Sequence, residues 1–229
     1  MLETSETLFP LRNHQFVSTG SRWCIGTWWH AFFVLAVFSG MRSSELRGLV
    51  WQNVDLDENF VRVRQRADFR NQLGPPKSPA AFRDIPMAPS VKATLARWRA
   101  ACPATELELV FPSRNRCIHT NSNLHKVFWG RLQMAAGIVK MHQQPDGRVV
   151  CRPRLTFHAL RHAAATLFIE QGWPPKKVQT VMGHSSIQVT FDIYGKLWRD
   201  PEGELAAMAR LEEQLLAPGR PPEPPALQD

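Results

Sequence analysis

Tyrosine is nearly missing from this 229-residue sequence: Tyr194 stands alone against thirteen phenylalanines and eight tryptophans. Chemistry that needs a phenol therefore has one address. Cysteine is scarce as well. Cys24, Cys102, Cys117 and Cys151 are scattered without a CxxC pair, which argues against a disulfide framework in a chain long enough to bury a core. Cys117, His119 and Cys151 lack the paired spacing of a structural zinc site, so no metal is expected. No apolar run reaches membrane-spanning length: "GTWWHAFFVLAVFSG" is too short, contains His30, and reads as a core helix. The opening "MLETSETLFP" is acidic and polar, unlike a signal peptide. No membrane partner is expected, and the chain reads as cytoplasmic. Internal repeats are absent. Acidic residues are outnumbered, 20 against 28 Lys and Arg, for a net charge of +8. That surplus suits a polyanionic partner, although a basic protein without one has the same composition.

What is there reads mainly as helices around a small sheet, an α+β class. Trp28 to Val37 is apolar nearly all round, as for a buried helix, and Ser39-Gly40 ends it. Ser43 can cap a second helix through Leu49. "NVDLDENF" reads as a turn. In "FVRVRQR", Val61 and Val63 alternate with Arg62 and Arg64, the period of a half-buried strand with a cationic outer face. "NQLGPPK" reads as a hairpin turn and "FRDIPM" as a short partner strand, giving a small antiparallel sheet in the N-terminal third. Helices are predicted from Ser90, from Ser122 to Ala136, from Phe157 to Glu170, before Gly183, and around Ile187 to Tyr194. "QQPDGR" is a turn. Leu205, Met208, Leu211 and Leu215 recur at helical steps, so a last amphipathic helix is expected. The tail "PGRPPEPPALQD" is too polar and proline-rich to pack.

Four segments place polar residues where a structural chain has no need of them. In "SGMRSSEL", Arg42 sits at a helix N-terminus, where an anion is already favoured; taken alone, a surface pair with Glu45 explains it better. In "TFHALRHAAAT", His158, Arg161 and His162 share one helical face, and an anion between them would relieve their repulsion; bonds to carbonyls would serve too. In "MGHSSIQ", Gly183 permits a bend from which His184 projects, as many solvated histidines do. The fourth is Tyr194. As a set these residues contain a reaction. Two arginines can hold the non-bridging oxygens of a phosphodiester, histidines can move protons, and a tyrosine oxygen can attack phosphorus. Lys77, in "GPPKSP", could protonate a leaving oxygen.

In these boxes the chain resembles the tyrosine recombinases, or phage integrases, over roughly residues 22–197. "GMRSSEL" is similar to that family's first arginine box, "HALRHAAAT" to its H-x-L-R-H box, and "VMGHSSIQVTFDIYGKL" to the box joining Gly-His to the nucleophile. The resemblance implies that Tyr194 forms a 3′-phosphotyrosyl link and that Arg42 and Arg161 stabilise the transition state. It implies proton transfer by His158, support of the phosphate and tyrosine by His184, and Lys77 as general acid, with Glu45 and His162 behind them. It also implies double-stranded DNA as partner, no cofactor, a bacterial or phage-encoded protein associated with the nucleoid, and a homo-tetramer on DNA joined through the C-terminal helix. Packing of that helix on its own domain is the alternative. The expected division is an N-terminal extension over 1–21, a catalytic domain over 22–200, the amphipathic helix over 201–217, and a disordered tail over 218–229. The helical domain that usually precedes the catalytic domain is expected to be missing.

The sequence departs from the family around Lys77, where Ser78, Pro79 and Phe82 replace the usual threonine and basic residues. Two further functions compete. A DNA-binding remnant without catalysis would have no reason to keep the whole Arg-His-Arg-His-Tyr set. An RNA-binding domain would need exposed aromatic platforms, whereas Trp28 and Trp29 read as buried. Arg114, Arg116, Lys126 and Arg131 are candidate phosphate contacts.

Overall fold

The computed structural model describes residues 27–198 and 201–216. The expected extension over 1–21 and tail over 218–229 lie outside them. The first element, α1 (Trp28–Ser39), buries Phe32, Leu35 and Ala36 in the main core with Leu46, Ile85, Leu95 and Phe111. Each of the larger side chains contributes about 1.5–3 kcal/mol, and the Ala36 methyl less. The helix is not buried all round. Phe38 is 44% exposed, and Trp28 and Trp29 are half-buried, stacked on each other at 3.7 Å. It ends at Gly40, whose φ of +59° is left-handed. A Cβ there would lie 2.7 Å from Met182 Sδ, so this turn must also admit a close neighbour.

Helix α2 (Ser43–Arg47) is shorter than predicted, and its cap is Arg42 rather than Ser43. Glu45 reaches back to accept the Arg42 backbone N–H at 2.8 Å, the carboxylate half of a capping box. Strands β1 (Val54–Asp55), β2 (Phe60–Val63) and β5 (Arg83–Pro86) form an antiparallel sheet in the order β1-β2-β5. Val61 pairs with Ile85 and Val63 with Arg83, so the inward face carries an arginine beside its valines. The outer face is not a free cationic surface. Arg62 binds Asp55 at 2.8 Å and Arg64 binds Asp84 at 2.5 Å.

Strands β3 (Arg66–Ala67) and β4 (Leu73–Gly74) make a separate hairpin. Its turn is Asp68–Asn71, not the predicted Gly-Pro-Pro-Lys. Asp68 Oδ1 accepts the Arg70 and Gln72 amides, and Asn71 takes φ +61°. Pro75 and Pro76 have no N–H to extend the ladder, so β4 stops at Gly74. Lys77 follows in an exposed bend.

Helix α3 (Pro89–Ala101) packs on α1. A π-helical stretch over Asn123–Trp129 runs into α4 (Gly130–Ala135). A ribbon that the sequence reading missed follows: β6 (Val139–Gln143) and β7 (Val149–Pro153), with "QQPDGR" at its tip. The chain then enters α5 (His158–Glu170), α6 (Pro175–Met182), α7 (Ile187–Tyr194) and α8 (Pro201–Leu216). The outcome is the expected α+β class, mainly helical with small antiparallel sheets. Among the described residues, no helix is long and apolar enough to cross a membrane.

Candidate active site

The end of α6 organises the site. Gly183 takes φ +64° and closes the helix, leaving its last carbonyls without intrahelical partners. Three arginines from three other elements supply them. Arg83 Nε donates to Val181 O at 2.6 Å, Arg161 Nη2 donates to Met182 O, and Arg42 Nη2 donates to Gly183 O at 2.9 Å. The negative end of a helix dipole thus draws separate stretches of chain to one point. A Cβ on Gly183 would lie 2.9 Å from Arg83 Nη1, so this position must stay a glycine for the guanidinium to pass.

Glu45 ties the arginines together. It is 2% exposed and accepts from Arg42 Nη1 at 2.9 Å and from Arg83 Nη2 at 2.8 Å. Burial alone would raise its pKa. The hydrogen bond and charge of Arg83, then those of Arg42, overcome this and hold it below the usual carboxylate range. Arg161, on α5 and 3% exposed, also donates to Gly40 O at 2.5 Å. Burial, then the charges of Arg42 and Arg83, bring its pKa down to about 9, so it remains cationic at neutral pH. Among the described residues, Glu45 is the one carboxylate bonded within this cluster, to Arg42 and Arg83. The cluster therefore carries about two uncompensated positive charges in a desolvated place, which an anion would relieve. Each guanidinium has five N–H donors, and the contacts that fix Arg42 and Arg161 do not exhaust them.

The histidines and the tyrosine lie beside this cluster. His184 is 7% exposed, and its Nδ1 lies 2.9 Å from Thr190 Oγ1 on α7. Burial, then Arg161, Arg42 and Arg83, push its pKa down to about 4, so the ring is neutral at pH 7. Its ring lies parallel to that of Tyr194, 6.4 Å away. Tyr194 ends α7, packed with Ala165, Ile169, Val178 and Met182. Its hydroxyl is 2.8 Å from His162 Nδ1. Burial raises the phenol pKa and the Arg161 charge opposes this, so the proton stays on oxygen at neutral pH. His158 is exposed at the start of α5, its ring edge-to-face with His162 at 4.8 Å. Burial, then His162 and Arg161, lower its pKa. The phenol therefore bonds to His162, while His158 stands one ring further out.

Lys77 is the predicted site residue that the structure does not join to the others. It is exposed, and among the described residues no hydrogen bond or ion pair joins it to the others. Arg83 and Thr190 are residues that sequence reasoning passed over. Arg83 was legible in "FRDIPM": it shares strand parity with Ile85, so an inward Ile85 puts the arginine inside. Thr190 left no such signal. Among the described residues, no group of three or more His, Cys, Asp or Glu is arranged to hold a metal ion.

The family model described as the phage integrase family matches residues 13–198, which contain this entire cluster. The chain belongs to the phage integrase family. The chain is 28% identical over 182 residues to the prophage integrase IntR of Escherichia coli, a match covering 76% of this chain and 44% of that protein. It is 30% identical over 155 residues to the tyrosine recombinase XerD of Staphylococcus aureus, covering 66% and 44% respectively. The chain thus spans under half the length of these relatives. Among solved structures, the Tn1549 transposon integrase in complex with circular intermediate DNA aligns with a TM-score of 0.64 at 23% identity, covering 80% of this chain and 59% of that one. The XerA recombinase aligns at 0.56 and 22%, covering 84% and 58%. At these identities the structural likeness is one of fold.

Proposed function

We propose that residues 22–200 form the catalytic domain of a tyrosine recombinase that cleaves and rejoins double-stranded DNA through a 3′-phosphotyrosyl intermediate. The observation that carries this reading is the meeting of Arg42, Arg83 and Arg161 on the end of α6, beside a phenol already bonded to a histidine. Arg42 and Arg161 hold the non-bridging oxygens of the scissile phosphate and take up the charge that grows in the transition state. Arg83 and Glu45 hold the two in place. The Tyr194 oxygen forms a bond to phosphorus, and the bond from phosphorus to the 5′ oxygen breaks. The phenolic proton passes to His162, with His158 next to it, and the 5′ oxygen takes a proton from a general acid, for which Lys77 is the candidate. His184, fixed by Thr190, supports the phosphate. One phosphodiester is exchanged for another, so rejoining is the same steps reversed. The exposure of Leu205, Met208 and Leu211 on α8 supports a reading in which this helix joins further copies on DNA.

The test uses duplexes from a random library, each nicked so that the short strand cut free by the enzyme diffuses away and traps the adduct. Wild-type protein is expected to become covalently linked to DNA, and Tyr194→Phe to bind DNA without the link. An equal adduct from Tyr194→Phe would refute the assignment. DNA binding without any wild-type adduct would favour a binding remnant.

A further inference from the structure

The β6–β7 ribbon stands apart from the candidate active site, and none of its residues belongs to the core clusters. Its strands pair Val139 with Pro153, Lys140 with Arg152, Met141 with Cys151 and His142 with Val150. Directly paired residues share a face, and alternate residues along a strand share it too. One face therefore carries Lys140, His142 and Arg152, with Val150 between them. The same alternation adds Arg148 at the tip, where the Gln144 amide bonds to Arg148 O, and Arg154 at the base, whose amide bonds to Ile138 O. The other face is mostly apolar, with Val139, Met141, Val149, Cys151 and Pro153, and Gln143 opposite Val149. At its base, Pro153 approaches Gly130 of α4.

Two features of this ribbon are costly for an isolated fold. Of its ten strand residues, eight are exposed, and a two-stranded ribbon solvated on both sides is marginal on its own. Lys140 and Arg152 sit directly opposite, a like-charge pair that destabilises a hairpin. Among the described residues, Asp146 meets Arg148 at 2.9 Å, while Lys140, Arg152 and Arg154 have no ion-pair partner. A polyanion laid along the basic face turns both costs into binding. A two-stranded antiparallel ribbon is also one of the elements that the major groove of B-DNA, about 12 Å wide, admits.

We propose that the β6–β7 ribbon is a second DNA-binding element, its Lys140–Arg152 face contacting phosphates of the duplex outside the cleavage site. This rests on the functional reading above for the identity of the anion, and its test is separable from that reading. Duplex affinity of the full chain is measured across a series of salt concentrations for wild type and for Lys140→Gln/Arg152→Gln. Loss of two phosphate contacts should lower the slope of log affinity against log salt by about 2. Between 50 and 200 mM salt, the wild type should then lose about tenfold more affinity than the variant does. Lys140→Glu provides an independent check, because it sets a carboxylate opposite Arg152. It should raise the melting temperature while weakening DNA binding, two effects that damage to the fold cannot produce together. An unchanged slope and affinity in the double variant, or undiminished DNA binding by Lys140→Glu, overturns the ribbon proposal alone. A wild-type protein that shows the slope difference yet forms no adduct overturns the cleavage reading and leaves the ribbon standing. A wild type that binds no duplex overturns both.

Discussion

Arg47 and Arg161 are each 3% exposed, and each directs its guanidinium at backbone carbonyls. Arg47 donates to Ala67 O, Asp68 O and His119 O and to the Asn71 side chain, at 2.8 to 3.1 Å. It clips α2 to the β3–β4 hairpin and to the chain before the π-helical stretch. Burial lowers its pKa, and the nearby charge of Asp68 opposes the change. Arg161 likewise joins separate stretches, at Gly40 and Met182, but it does so within reach of the charges of Arg42 and Arg83 and next to Tyr194. Burial of an arginine is thus no sign of function in itself. The distinguishing feature is company. A clip has acceptors for its charge, whereas the cluster at the end of α6 holds more cations than its one carboxylate can balance.

The largest expected effects break this comparison directly. Lysine keeps the charge but not the fork, so it cannot serve carbonyls and a phosphate together. Arg161→Lys should lower adduct formation by about 10²–10³-fold, the scale of losing a transition-state donor. Arg47→Lys should leave adduct formation per folded molecule near wild type. It should instead lower unfolding free energy by about 1–3 kcal/mol for each carbonyl left without a donor. Denaturant titration and the nicked-duplex assay together separate the two. Equal loss of cleavage in both variants would remove the distinction between clip and cluster.

Lys77 offers a smaller and more specific test. If it protonates the 5′ oxygen, Lys77→Ala should slow cleavage by about 10²–10⁴-fold on ordinary DNA, the usual worth of general acid catalysis. A substrate with sulfur at the 5′ bridging position has a leaving group that needs no proton. On it, Lys77→Ala should approach the wild-type rate, while Arg161→Lys should remain slow. An equal deficit on both substrates would take Lys77 out of the proton path.

Lys77 also marks where sequence reading ran short. The arginine and histidine boxes were legible because each is a local word: Arg42 and Glu45 lie on one helix start, and His158, Arg161 and His162 on one helix face. The α1 helix, the β2–β5 pairing and the three short helices up to Tyr194 were legible from periodicity and glycine stops. What stayed hidden depends on distant partners. Strand parity could turn Arg83 inward, but nothing local to it shows that Glu45 and Val181 wait for it. The ribbon hid for another reason. Its basic and apolar residues do alternate, but "VKMHQ" and "VVCRP" carry little of the β-branched and aromatic signal expected of strands. The hairpin turn moved from Gly-Pro-Pro to Asp68–Asn71 because an Asx bond outweighed the prolines.

Titration extends the comparison to two histidines. His184 in the cluster and His119 beside Arg47 are both held at about 4. Burial is the main cause in each. For His184 the arginines add to it. For His119 a hydrogen bond to the Pro112 carbonyl works against burial, and Arg47 works with it. Both rings stay neutral in the folded chain, whereas in the unfolded chain they take up protons from about pH 6.5. The unfolded state then binds more protons, so stability contributed above pH 6.5 is lost as the pH falls toward 4. Sulfate separates the two. An anion held by Arg42 and Arg161 offsets their charge at His184, so its pKa should rise in sulfate, while that of His119 should stay put. Titration followed by NMR reads both rings in one sample, and equal responses would mean that the cluster does not gather anions.

The smallest effect concerns the arginine that the sequence assigned to a cationic surface. Arg64 meets Asp84 at 2.5 Å, with the two side chains 40% and 46% exposed. Such pairs are worth about 0–1 kcal/mol, because water already solvates both charges. Asp84→Asn should change stability by no more than about 0.5 kcal/mol. It should, however, free Arg64 from its counter-ion, and if the end of β2 faces the duplex, the freed arginine adds one phosphate contact. The salt slope of duplex binding would then steepen by about 0.9. An unchanged slope would place β2 away from the duplex, and the cationic contribution to binding would fall to the α6 cluster and the ribbon. Three kinds of arginine would then be distinguished by their partners: Arg47 balanced by carbonyls, Arg64 by a carboxylate in water, and Arg161 by the substrate.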